Sequence, residues 1–108
     1  MTFQKIAQMI ESLGLPFAYY QFPDDTEQAP PFICFLYDYD YLYADDSNYA
    51  GSVILSIELY TDTKDVRLEY DIETLLKNYG LSWSKEAAYI DSERMWQTTY
   101  QMEVFING

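Results

Sequence analysis

Residues 96–106 carry a period of two along one face. Trp96, Thr98, Tyr100, Met102, Val104 and Ile106 occupy every second position. Only an extended chain, whose side chains point to opposite faces in turn, gathers such a set on one side. A second run does the same: Val53, Leu55, Ile57 and Leu59 are expected inward, and Ile54, Ser56, Glu58 and Tyr60 outward. Two half-buried strands need apolar cover on their inward face. Two helical stripes supply it. Over residues 3–13, Phe3, Ile6, Ala7, Ile10 and Leu13 share one stripe, with Thr2 placed to cap the start, Gly14 to cap the end and Pro16 to forbid continuation. Over residues 65–79, Asp65 is the cap, Leu68, Ile72, Leu75, Leu76 and Tyr79 form the stripe, and Gly80 ends it.

The remaining segments complete the order. A short strand is expected from Phe17 to Phe22, followed by an acidic, proline-bounded loop over 23–31. The next strand runs from Phe32 to about Tyr43 and begins apolar on both faces, which predicts an interior position in the sheet. Residues 44–48 carry turn chemistry, and strands at about 81–90 and 95–106 are joined by the turn Asp91-Ser92-Glu93-Arg94. The fold class is therefore α+β: a single domain over 1–108 in the order α-β-β-β-α-β-β, two helices packed on a mostly antiparallel sheet.

Within the strand that begins at Phe32 lies Tyr37-Asp38-Tyr39-Asp40-Tyr41-Leu42-Tyr43. Extended, it sets Tyr37, Tyr39, Tyr41 and Tyr43 on one face, with Asp38, Asp40 and Leu42 on the other. Such a tyrosine row serves as a half-buried sheet face, a subunit interface or a stacking platform. The neighbouring aspartates disfavour the last, because stacking platforms for nucleic acid set cations beside their rings. The four tyrosines are the candidate subunit interface.

Charge is lopsided. Residues 6–63 hold ten acids and no base, and the rest of the chain holds eight acids and all six bases, giving a net charge of −12. Such a surface repels phosphate, so conventional nucleic-acid binding and attachment to anionic membranes are not expected. Hydrophobic content of 49% speaks against disorder. No apolar run approaches the ~18 residues of a membrane span, and the N-terminus lacks the features of a signal peptide. The chain reads as soluble and intracellular, and its lone cysteine, Cys34, as a buried small hydrophobe.

The catalytic inventory is thin. Without histidine, Ser-His and Cys-His pairs and His-ligated zinc sites are excluded, and a single cysteine excludes thiolate clusters. No phosphate-binding glycine motif occurs, and the bases Lys5, Lys64, Arg67, Lys77, Lys85 and Arg94 are scattered. Lys64, Arg67 and Lys77 are expected to solvate the second helix and pair with Glu69, Asp71 and Glu73, or to meet the acidic part of a neighbouring copy. The acid pairs Asp24/Asp25, Asp38/Asp40 and Asp45/Asp46 read as solvated loop and strand residues, since a calcium loop begun at Asp38 fails at Leu42 and Tyr43. No enzyme activity, metal or cofactor is expected.

The blocks GLPFAYYQF (14–22), APPFICFLY (29–37), IELYTDTKD (57–65), YIDSERM (89–95) and YQMEVFI (100–106) resemble a family of small phage and prophage proteins from Gram-positive hosts, encoded among head–tail joining and tail genes. The similarity spans essentially the whole chain. The order of elements is also similar to that of the tail terminator, or tail completion, proteins of long-tailed siphophages. Where that family carries a Pro/Ser/Asn-rich turn, this chain has the Tyr/Asp ladder. The resemblance implies a virion structural protein of the tail or neck, present in the host cytoplasm during assembly. It would form a hexameric ring with copies of itself, cap the tail tube, contact tail tube and head–tail connector proteins, and let DNA pass without binding it. No membrane or small-molecule ligand is implied. Asp24, Asp25, Glu27, Asp45 and Asp46 are the candidate acidic lumen loops. The alternative is an acidic inhibitor that mimics DNA and binds a DNA-processing enzyme.

Overall fold

The first helix begins where a side chain replaces missing backbone partners. Thr2 stays extended, and its Oγ1 accepts a hydrogen bond from the Lys5 amide at 3.1 Å. Helix α1 spans Phe3–Glu11 and buries Ile6, Met9 and Ile10. It stops two residues short of the expected end because Leu13 and Gly14 bond back only three residues, to the Ile10 and Glu11 carbonyls. Gly14, at φ +76°, then turns the chain. Helix α2 spans Val66–Asn78, and Asp65 Oδ1 accepts from the Leu68 amide at 3.0 Å. Its end is a Schellman motif: Leu81 N–H donates to Leu76 O at 3.0 Å, Gly80 N–H to Lys77 O at 2.9 Å, and Gly80 takes φ +73°. Tyr79 therefore leaves the stripe predicted for it and is 46% exposed, while Leu81 packs on the core.

The computed structural model describes residues 1–24, 27–38 and 51–107. Five strands form one sheet: β1 Phe17–Tyr19, β2 Phe32–Asp38, β3 Gly51–Thr61, β4 Ser84–Ile90 and β5 Met95–Ile106. Their spatial order is β1-β2-β3-β5-β4. The β1–β2 pair is parallel and the others are antiparallel, so the expected α+β architecture and element order are those observed. At the centre, β3 and β5 pair from Gly51↔Ile106 to Thr61↔Trp96. β2 is an interior strand, as its two apolar faces predict, and its expected extension over 39–43 lies outside the described residues, as does the turn at 44–48.

Both helices contribute to one core with the inward residues of the sheet. Ile6, Met9, Ile10, Ile72 and Leu76 join Ile33, Phe35, Leu55, Ile57, Leu59, Tyr100, Met102 and Ile106 in one buried cluster. At ~25 cal/mol per Å² of apolar surface, each fully buried side chain in this cluster contributes ~1.5–3 kcal/mol before conformational entropy is set against it. β1 is shorter than expected: the Tyr20 amide still donates to Phe35 O at 2.8 Å, but its φ of +70° bends the chain out of the ladder beyond that bond.

Candidate interaction surface

Strand register defines what lies on the sheet face opposite the helices. One row across the sheet is Phe32–Tyr60–Gln97–Ala88, the next Cys34–Glu58–Thr99–Glu86, the next Leu36–Ser56–Gln101–Ser84, and then Asp38–Ile54–Glu103. Among the described residues, the charges in these rows are all carboxylates: Asp38, Glu58, Glu86 and Glu103. The outward residues of β3 are where expected, yet not all are wet. Ser56 is buried and accepts from Gln101 Nε2 at 3.2 Å, and Tyr60 is half-covered by the Phe32 ring, stacked 4.8 Å away at 17°. Ile54 and, farther along the same face, Phe105 remain exposed.

The connection from β1 to β2 rises over this face. Phe22 stands edge-on to Phe32 at 5.5 Å. Between the connection and the sheet lies a groove of about 550 Å³, walled by Tyr20, Phe22, Phe32 and Tyr60 and carrying the carboxylates of Glu58 and Glu93. No lysine or arginine lines it among the described residues. Inside, Tyr60 donates to Glu58 Oε1 at 3.0 Å and accepts from Gln97 Nε2 at 2.8 Å. Burial, with the Glu58 charge beside it, pushes the Tyr60 phenol up. The same two causes lift the Cys34 thiol to about 11, which disfavours the reactive thiolate at neutral pH.

On the helical face a different arrangement anchors α2. Glu69 is only 4% exposed, and its Oε1 accepts from Lys85 Nζ at 2.8 Å, while Oε2 meets Lys64 Nζ. Lys85 Nζ also reaches Glu73 Oε2 at 2.7 Å and lies 5.8 Å from the Tyr100 ring centroid. Tyr100 O–H donates to Glu73 Oε2 at 2.8 Å. Burial pushes both carboxyls up, but lysine hydrogen bonds to Glu69, and Lys85 and Tyr100 hydrogen bonds to Glu73, outweigh it and hold both below the usual range. Those hydrogen bonds raise Lys85 in turn, and burial followed by Glu73 raises Tyr100. Each acid is ionised against a cation already in place, an arrangement that positions α2 on β4 and β5. Lys64–Glu69 and Arg67–Asp71, at 3.7 Å, match the expected pairing, but the partner of Glu73 is Lys85. The available signal was the spacing of Glu69 and Glu73 along the buried stripe. The Lys85↔Tyr100 register, which delivers the lysine, depends on strand pairing.

The sequence candidates are placed as follows. Tyr37 is half-buried on the helical face, its ring 4.7 Å from Phe3 and 5.4 Å from Tyr19. Tyr39, Tyr41 and Tyr43 lie outside the described residues, as do Asp25, Asp45 and Asp46. Asp24 and Glu27 are exposed on the β1–β2 connection, near the groove residues Phe22 and Gln28. The groove, built from Tyr20, Phe32, Tyr60 and Glu93, was not singled out by sequence reasoning. Among the described residues, no group of three or more His, Cys, Asp or Glu side chains is placed to hold a metal ion, and no helix is long and apolar enough to cross a membrane. Comparison of the chain with protein-family models, curated proteins and solved structures finds no match.

Proposed function

We propose that this chain is a non-enzymatic structural protein of a phage particle, a ring-forming tail terminator or a neighbouring head–tail joining subunit. The observation that carries the reading is a one-sided sheet with one-signed charge. Helices cover one face, while the other presents Asp38, Glu58, Glu86 and Glu103 around an aromatic groove. A sheet face of this kind suits lateral packing between copies, and surplus carboxylate suits a conduit that DNA traverses without adhering. The block resemblance supports the same reading. The partners would be further copies of the chain in a hexamer, the tail tube protein and connector proteins, with exposed Asp24 and Glu27 toward the lumen. Size-exclusion chromatography with light scattering, then electron microscopy of purified tail tubes with added protein, tests it. Closed rings that cap tubes are expected; a strict monomer at high concentration that never caps tubes overturns it.

A second reading, the DNA mimic, is favoured by the net charge of −12 together with a sheet face whose charges, among the described residues, are all carboxylates: Asp38, Glu58, Glu86 and Glu103. Capture of a DNA-processing enzyme, released by competing duplex DNA, would favour it over the ring.

A further inference from the structure

Among the described residues, no base falls in the rows of the acidic sheet face. Lys64 and Lys85 are engaged by Glu69 and Glu73. Arg67, on the outer surface of α2, has a side chain 87% exposed. Beside it are Val66, 71% exposed, and Tyr70, 57% exposed, an apolar patch next to a cation. Asp71 contacts Arg67 at 3.7 Å, an exposed pair of the kind that contributes little. The groove on the opposite side of the molecule has the complementary character, with four aromatic walls, two carboxylates and no base among its described lining. A guanidinium is suited to such a trough, because its plane stacks on aromatic rings while its edge meets carboxylates.

We propose that copies of this chain dock head to tail, with the Val66–Arg67–Tyr70 surface of one copy seated in the Phe32–Tyr60 groove of the next. This rests on the ring reading and deepens it by naming the two surfaces. Because they lie on opposite faces of one molecule, the contact is heterologous and not two-fold, and repetition yields a ring or a filament. Each joint brings Arg67 to Glu58 and Glu93 and covers Val66 and Tyr70.

The test compares wild type with Arg67→Glu, Glu93→Arg and the double variant by analytical ultracentrifugation, with thermal melts to verify folding. Tyr70→Ser, which leaves the charges untouched, is the fourth variant. Each single change is expected to weaken self-association roughly tenfold, and the double charge swap to recover most of it. Singles that associate like wild type, or a double as weak as either single, overturn the docking inference and leave the ring reading standing. A wild type that is monomeric at every concentration overturns the self-docking, and it overturns the ring reading as well when it also never caps tail tubes. A wild type that stays monomeric yet binds a basic segment of another protein in the groove also overturns the self-docking.

Discussion

Replacing Lys85 by methionine keeps most of the side chain's length and apolar stem while removing the ammonium that bridges Glu69 and Glu73. Two hydrogen bonds to ionised groups disappear, at 2.8 and 2.7 Å. Each such bond contributes ~1.5–3 kcal/mol when well shielded. The Glu73 half is discounted, since that side chain is 31% and Lys85 37% exposed. Glu69 is 5% exposed at its side chain and retains Lys64, so it is weakened in its pairing but not orphaned. The expected loss is about 2–3 kcal/mol, or roughly 8–20 °C in Tm for a domain of this size. The pH dependence follows from the directions of the shifts. Glu69 and Glu73 are depressed in the folded state, so their contribution is present above the ordinary carboxylate range and is lost as pH falls through their folded values. Lys85 is raised, so its contribution is present below the ordinary lysine value of 10.5 and is lost as pH rises through its folded value. Urea titrations monitored by circular dichroism from pH 3 to pH 8 would measure the loss at neutral pH and the acid limb. The variant is expected to show a smaller loss of stability on acidification, and combining it with Glu69→Gln to cost less than the sum of the two. A Lys85→Met protein within about 0.5 kcal/mol of wild type at neutral pH, with an unchanged acid slope, would refute the claim that this network anchors α2.

Arg94 sits at φ +54° in the β4–β5 turn, where glycine carries no Cβ penalty, so Arg94→Gly should raise stability by about 0.5–1 kcal/mol in a denaturant midpoint measurement. Tyr37→Ser should cost about 2 kcal/mol in the isolated protein, because the ring packs on Phe3 and Tyr19; a variant that only loses self-association and melts like wild type would show that the ring's weight lies in the interface. Cys34 should label with a thiol reagent at neutral pH much more slowly than a free cysteine, and labelling of the native protein as fast as a free cysteine would contradict a thiol raised to about 11.

The elements were legible because their periods were clean. Every second residue from Trp96 to Ile106 faces one side, and the caps at Thr2 and Asp65 sit where hydroxyl and carboxylate can take over orphan amides. The misses have local or long-range causes. Tyr20 adopts a left-handed conformation that a tyrosine rarely signals, so β1 stops at Tyr19. Tyr79 matched the helical stripe but lies at the C-cap, where the Gly80 turn hands its place in the core to Leu81. The groove and the Glu73–Lys85 pair needed strand order and register. Phe32 meets Tyr60, and Lys85 meets Tyr100, only once β2, β3, β5 and β4 lie side by side.

The central β3–β5 pair, with Gly51 opposite Ile106, has a consequence for synthesis of the chain. Closing so long a loop is slow, and the reward arrives only after the partner strand exists. While β5 is still inside the ribosome, β3 has β2 on one flank and a bare hydrogen-bonding edge on the other, with Val53, Leu55, Ile57 and Leu59 along it. A nascent chain paused in this state offers its neighbours on a polysome a template for strand pairing. Arrival of Met95–Ile106 fills the edge with eleven residues of register and withdraws it at once.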